Sequence, residues 1–272
     1  MSEVVGLYRY PLTGARAENL EDAQLNRNGI VGDRELVLYE SSQQEDGSHM
    51  RVSQKEIRDI ARISAFTTVQ GIELVYPNYG NFYVPKLVEG KEVRVYEFGD
   101  ITPAYDCGDA FARRFEYFTG KPSIRLAQKS KAWRFGDSEI SPIKRRNRPV
   151  HIIHESTIKE LRRRSPKSNF GADRFRPNIV LDGPEEAFCE NALLEKMIEI
   201  GNAVMQVHDV TRRCSVPGND QTTGKNLKDI PKLYPSVPKA EDDGKPIIGV
   251  YAYPITDEEI NISLADRLKI VC

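Results

Sequence analysis

Apolar positions in the first hundred residues fall in short runs separated by polar turns, a pattern that predicts strands. Val4 to Tyr10 is one run, ended by Pro11, and Glu35 to Tyr39 is another. Between them, Asn28-Gly29 and Gly32-Asp33 carry turn chemistry. Ser41 to Ser48 is polar and holds Asp46-Gly47, so it reads as a hairpin tip or loop. Ile72 to Tyr76, Phe82 to Pro85 and Glu92 to Tyr96 continue the pattern. Short strands at regular spacing predict a sandwich or barrel.

The pattern changes near Asp106. Ala110, Phe111, Phe115 and Phe118 recur at helical spacing, which predicts a helix over Asp109 to Phe118 with Gly120 as its stop. Ile124 to Ala127 reads as a strand. Gln128 to Arg148 is polar and basic, contains Trp133, and reads as a long surface loop. A buried strand is expected at Val150 to Ile153, then a helix opened by Glu155 or Ser156 and running through Leu161 and Arg164. Phe175 to Leu181 reads as a strand entered through Pro177 and ended by Asp182-Gly183-Pro184. Met197 to Val210 predicts a hairpin around Gly201-Asn202, and Gly224 to Asp243 an irregular stretch. Ile247 to Tyr253 and Leu268 to Val271 are the last expected strands. The fold class expected is therefore β-rich mixed α/β, an α+β chain. A composition break near residue 97 suggests domains at 1–97 and 98–272.

With 272 residues, 39% hydrophobic and 29% charged, the chain has the composition of an ordinary soluble protein able to bury a large core. A net charge of −1 gives no global pull toward nucleic acid or membrane, and neither partner is expected. The four cysteines form no CxxC pair, which argues against a zinc ribbon and for reduced thiols in a cytoplasm. The N-terminal residues lack the charged and apolar regions of a signal peptide, and no run is long enough to cross a bilayer. No GxGxxG, P-loop or GxSxG pattern occurs.

Candidate chemistry concentrates at Arg212-Arg213-Cys214-Ser215, followed by Gly218, Asp220, Thr222, Thr223 and Gly224. Arginines beside a cysteine favour its thiolate, the form that binds a metal or attacks an electrophile. The same arginines are able to grip an oxyanion. A buried, inert cysteine is the alternative. Arg174, Arg176 and Asn178 would share one face of the expected Phe175–Leu181 strand, and three donor-rich side chains there suit an anion better than a solvated edge. Arg34, after Gly32-Asp33, stands either at a loop tip facing a site or in a surface ion pair. Lys144 to Arg148 suits a phosphate on a small ligand, whereas Arg162-Arg163-Arg164 reads as a solvated charge run. His49, His151, His154 and His208 read as structural.

In order along the chain, several segments carry a resemblance. They are Tyr10-Pro11, Gly32-Asp33-Arg34, Arg51-Val52-Ser53-Gln54, Asp106-Cys107-Gly108-Asp109 and Pro149 to Leu161. Phe175 to Val180 and Arg213-Cys214 with Thr223-Gly224 follow. The chain resembles the MOSC-domain family with its N-terminal β-barrel domain, most closely the mitochondrial amidoxime-reducing component and its bacterial relatives. That resemblance implies a molybdenum cofactor (molybdopterin), a pterin with a dithiolene and a phosphate. It implies Cys214 as the protein ligand to molybdenum and as the catalytic residue, with Arg34, Arg176 and Asn178 holding the cofactor. Arg213 or Arg148 would assist at the phosphate. The family's usual Lys-Ser after Tyr-Pro is replaced by Thr13-Gly14, which removes a cation and leaves Thr13 as one donor. Asn147 and Arg148 stand where relatives carry small hydroxyl residues and would replace the lost charge. The implied activity is reduction of N-hydroxylated small-molecule substrates, with electrons from a separate donor protein. A cofactor or sulfur carrier, or a repurposed site for another phosphorylated ligand with no molybdenum, are the alternatives.

Overall fold

The computed structural model describes residues 1–86, 89–97, 99–130, 150–168, 170–256 and 258–271. Asn147, Arg148, Trp133 and most of the basic stretch to Arg148 lie outside the described residues. Among the described residues the strands form a closed barrel, an eight-stranded sheet and two three-stranded sheets, one of them Asp22–Asn26, Gly29–Ile30 and Ile260–Ser263; the candidate site lies at the seam of the barrel and the eight-stranded sheet.

The first is a closed five-stranded barrel of Leu36–Gln43, His49–Arg51, Glu92–Glu97, Asp100–Asp106 and Ile124–Lys129. Side-chain alternation explains why its first strand is apolar on both faces. Val37 and Tyr39 point into the barrel with Val93, Val95, Ala104 and Ala127. Leu36 and Leu38 point out, onto Ile60, Ile63, Leu74 and Phe115. The outer layer is a three-stranded sheet (Ser64–Thr67, Gly71–Tyr76, Gly80–Pro85) and helix α1, Asp109–Thr119. Phe115 is fully buried, and Gly120 ends α1 in the left-handed conformation, donating its N–H to Glu116 at 2.7 Å. The composition break at residue 97 falls between two strands of one barrel hairpin, Glu92–Glu97 and Asp100–Asp106. The barrel is completed only by Ile124–Lys129.

The second system is an eight-stranded sheet. Its order runs from Leu268–Val271 through Met197–Ile200, Ala203–Arg212, Ile247–Pro254, Val150–His154 and Ile179–Asp182 to Glu3–Arg9 and Glu18–Leu20. The first strand of the chain therefore belongs to this sheet and not to the barrel that follows it. Backbone bonds from Val4 N to Asp266 O and Leu268 N to Ser2 O, both under 3 Å, curl the sheet toward closure. Its inner face is filled by Leu7, Leu25, Ile152, Ile198, Met205, Val207 and Val250. Helix α2, Glu155–Arg164, crosses between the two parallel strands and buries Ile158 and Leu161 against Ile153 and Val180. The Arg162–Arg164 run is held by Glu155 and Glu160, as a solvated face would be. Among the described residues no helix is long and apolar enough to cross a membrane.

One expected strand is corrected. The expected strand Phe175–Leu181 begins only at Ile179 and runs to Asp182. Ala172–Arg174 forms a 3-10 turn and Arg176 is left-handed at φ 59°, so Arg174, Arg176 and Asn178 do not share a strand face. Arg174, itself buried, turns instead to Pro217 O at 2.7 Å and pairs with the largely buried Asp229 at 2.6 Å.

Candidate functional site

Four chain segments meet at the seam. They are the Tyr10–Ala15 crossing from the large sheet to the barrel, the Gly32–Arg34 turn, Phe175–Asn178, and the stretch after Arg212. Leu36 N donates to Pro11 O and Thr13 N to Leu36 O, each at 2.8 Å, which fixes the crossing on the barrel's first strand.

Tyr10 is the centre of the arrangement. It is fully buried, its hydroxyl donates to Pro177 O at 2.9 Å, and its N–H donates to Asp33 Oδ1 at 2.7 Å. The Arg176 guanidinium lies 4.2 Å from its ring centroid and that of Arg34 5.2 Å. Burial pushes the Tyr10 phenol up, so it stays neutral beside these cations. Arg34 pairs with Asp33 and reaches Asn178 Oδ1 at 3.5 Å. Both arginines have positive φ, 54° and 59°, a conformation costing roughly 1–2 kcal/mol for a side-chain-bearing residue. Strain of this kind is retained where the position of a side chain matters.

Asn178 is fully buried and ties the strands together. Its Oδ1 accepts from His151 N at 3.1 Å and its Nδ2 donates to Tyr8 O at 3.2 Å. Its amide is thereby spent largely on the backbone. Arg213 is similarly engaged. Nε donates to Ile248 O at 2.9 Å, Nη1 to Phe175 O at 3.0 Å, and Nη2 to His151 Nε2 at 2.7 Å and again to Ile248 O. A guanidinium only donates, so His151 Nε2 accepts and its Nδ1–H donates to Arg176 O at 3.1 Å. Burial and the adjacent Arg213 hold the His151 imidazole well below its ordinary value, so it is neutral. Arg213 thus locks the backbone that presents Arg176 and Cys214.

Among the described residues, the buried donors here without a hydrogen-bond partner include Arg176 Nη2 and Thr13 Oγ1. Arg176 Nη1 donates to Ala15 O at 2.5 Å, leaving the other arm of the fork open. Burial, with Arg34 adding repulsion, brings the Arg176 guanidinium down to about 10. An unpaired buried cation arm is costly, and an anion is what would satisfy it. Gly14 is left-handed at φ 92°, and a Cβ there would come within 3.0 Å of Ile60, which explains a glycine beside Thr13.

Cys214 is exposed, with its carbonyl accepting from the Tyr234 hydroxyl at 2.7 Å. Arg51 lies within electrostatic reach of Cys214. Arg212 turns away, as alternation along a strand requires, and is neutralised by Asp209 at 2.7 Å and Asp242 at 2.9 Å. The pair of arginines expected beside the thiol is therefore one arginine, with Arg51 from the barrel as the other cation. Thr223 donates N–H and hydroxyl to Asp220 Oδ1 at 2.6 and 2.7 Å and is spent on that turn. Sequence reading missed Tyr10 as the stacking platform and Gln54 as a tie across the seam. Both lie in quoted segments, but their partners are more than 160 positions away.

Comparison with known proteins accounts for almost the whole chain. Residues 1–122 match the MOSC N-terminal beta barrel domain and residues 124–268 the MOSC domain. The chain belongs to the MOSC-domain family. The boundary between the two matches does not follow the seam: Glu3–Arg9 and Glu18–Leu20 of the large sheet fall in the first match, and Ile124–Lys129 of the barrel falls in the second. A molybdenum cofactor sulfurase of Drosophila willistoni is 24% identical to this MOSC chain over 169 residues, 61% of the chain and 20% of that protein. The chain thus spans about a fifth of that relative's length. Among solved structures, the YuaD protein of Bacillus subtilis is 11% identical, with a TM-score of 0.45 over 99% of this chain and 96% of that one. YiiM of Geobacillus stearothermophilus is 21% identical, with a TM-score of 0.34 over 46% of this chain and 55% of that one.

Proposed function

We propose that the chain binds a molybdenum cofactor and uses it to remove oxygen from N-hydroxylated compounds. The observation that carries this reading is the open, buried Nη2 of Arg176, in a site built from two strained arginines stacked on Tyr10. The residues fit the group. Arg176, with Arg34, supplies charged donors for a phosphate. Thr13 Oγ1 supplies a further buried donor. Cys214 is an exposed soft thiol, the ligand type suited to such a metal. Among the described residues no three or more His, Cys, Asp or Glu side chains gather as a metal cage. This suits a metal brought in by a cofactor that carries its own sulfur ligands.

Two-electron oxygen-atom transfer is the chemistry that such a cofactor would supply when bound. The chain supplies orientation and charge. Arg176 and Arg34 anchor the anionic end. Arg213 and Asn178 hold the surrounding backbone, and Cys214, which is exposed, would be the ligand to the metal. The overall change converts N–OH to N–H and water with two electrons and two protons. Among the described residues, His151 is spent on Arg213 and the Tyr234 hydroxyl on the Cys214 carbonyl, and the exposed mouth at Cys214 would admit protons from solvent. The electrons come from a separate donor protein.

A second reading, carriage of the cofactor or of sulfur on Cys214 without turnover, is favoured by the exposure of that thiol. The relative named a molybdenum cofactor sulfurase also favours it. The test is reduction of an aryl amidoxime by the molybdenum-loaded protein with a chemically reduced viologen as donor. Multiple turnovers support the enzyme. Bound molybdenum with no turnover favours the carrier, and protein without molybdenum or pterin refutes the enzyme and carriage of the cofactor, leaving carriage of sulfur on Cys214.

A further inference from the structure

Three buried primary amides cross the seam between barrel and sheet. Gln54, from the segment that follows Arg51, is 2% exposed, Gln221 4% and Asn219 2%. Gln54 and Gln221 form a reciprocal pair. Gln54 Nε2 donates to Gln221 Oε1 at 3.1 Å, and Gln221 Nε2 donates back to Gln54 Oε1 at 3.3 Å. Gln54 Nε2 also donates to Gly14 O at 2.5 Å, directly beside Thr13. Gln221 Nε2 donates to Asn219 O at 2.9 Å, and Asn219 Nδ2 donates to Gln54 O at 3.2 Å. Arg16 Nε closes the network on Gln221 O at 2.8 Å.

Three segments that carry candidate site residues therefore converge on one side chain: Thr13-Gly14, Arg51 to Gln54, and the loop that leaves Cys214. Only a primary amide satisfies all of these contacts, since it donates and accepts through one planar head. A carboxylate at position 54 would face the Gly14 and Gln221 oxygens with no proton to give. Between Cys214 and Gln221 the chain has a short 3-10 turn, Val216–Gly218, tied to Arg174 at Pro217 O and to Asn226 at Asn219 Oδ1; the Gln54 amide adds a tie from the barrel at the far end of the loop.

We propose that Gln54 is a positioning residue, a clamp from the barrel domain that fixes the Cys214 loop against the Thr13-Gly14 crossing. Its consequence for metal binding rests on the reading of Cys214 as the molybdenum ligand; the clamp itself does not. With it intact, the thiol and the buried donors of Thr13 and Arg176 keep one mutual geometry. Without it, the loop opens while both β systems stay folded.

The test uses cofactor-free protein, so it is independent of whether molybdenum binds. Backbone amide exchange and the rate of Cys214 alkylation by iodoacetamide are measured in wild type, Gln54→Ala and Gln54→Met, the last preserving side-chain volume. Half-buried Cys107 and Cys189 serve as internal controls. The expected result is exchange in residues 215–227 accelerated about tenfold or more in both variants, from the loss of buried hydrogen bonds. The alkylation rate of Cys214 relative to Cys107 and Cys189 should change, with exchange in Val150–His154 unaltered. Gln54→Glu should show the same opening at pH 8 and recover toward wild type at pH 5, where a protonated carboxyl donates again. Wild-type exchange across 215–227 in Gln54→Met, or acceleration spread equally over both β systems, overturns the proposal. In loaded protein, molybdenum retained by wild type but released faster from Gln54→Met extends the clamp to the metal. A wild type without molybdenum refutes the metal reading and leaves the exchange result standing.

Discussion

Replacing Arg176 by methionine separates a ligand-binding arginine from a structural one. Burial and the neighbouring Arg34 depress this guanidinium to about 10, which corresponds to roughly 3 kcal/mol of cost for its charged form at neutral pH. Because folding holds this base below its unfolded value, the cost is present at neutral pH and fades only as pH rises past about 10. Deleting the guanidinium removes that cost. It also forfeits the charged hydrogen bond to Ala15 O, about 2 kcal/mol, and the stack on Tyr10, about 1 kcal/mol. These quantities nearly cancel, so urea denaturation of cofactor-free Arg176→Met at pH 7 should give a stability within about 1 kcal/mol of wild type. Cofactor retention should behave differently. Loss of a charged fork to a phosphate is worth about 2–3 kcal/mol, a fall of roughly 30- to 150-fold in affinity, read from pterin fluorescence after oxidative release. A cofactor-free variant destabilised by more than about 3 kcal/mol, with pterin content unchanged, would refute the reasoning and make Arg176 a structural tie.

Other consequences follow from buried groups. Burial pushes the Glu190 carboxyl up to about 7, so folding favours its protonated form. Its contribution is fully present below the unfolded carboxylate value and is lost as pH rises to about 7. Glu190→Gln should therefore gain on wild type between pH 5 and pH 8 in chemical denaturation, by about 2–3 kcal/mol. Arg174→Met leaves Asp229 buried without its partner and should cost about 3–5 kcal/mol, with Arg174→Met/Asp229→Leu recovering much of it. Gly14→Ala meets both a positive φ and a 3.0 Å approach to Ile60, and should lower stability by about 1–3 kcal/mol in thermal unfolding.

Much of the secondary structure was legible because burial imposed its period on the chain. Leu36 to Tyr39 is apolar throughout because one set of side chains fills the barrel and the other faces the outer layer. Phe115 at the centre of an amphipathic stretch, with Gly120 behind it, marked helix α1. The stretch from Phe175 to Leu181 misled for a physical reason. Its composition is that of a strand, but Arg176 is forced left-handed, where it stacks on Tyr10, and no local rule announces a left-handed arginine. Arg212 and Arg213 are neighbours in sequence yet serve opposite faces, one neutralised by aspartates and the other buried against His151. The resemblance to known proteins named candidate residues, and the structure brings Arg34, Arg176 and Asn178 together around Tyr10. The ties that arrange them, Tyr10 to Pro177 and Gln54 to Gln221, depend on pairings of segments more than 160 positions apart. Local pattern carries no information about such pairings.

The central claim is that the Arg176 and Cys214 site holds a molybdenum cofactor. The most direct measurement is molybdenum and pterin content of the protein purified from a cofactor-competent host, beside Cys214→Ala and Arg176→Met. The expected result is near-stoichiometric metal and pterin in the wild type, an altered or depleted metal centre in Cys214→Ala, and loss of pterin from Arg176→Met. Wild-type protein that carries neither metal nor pterin under those conditions would contradict the claim and turn attention to another phosphorylated ligand for Arg176.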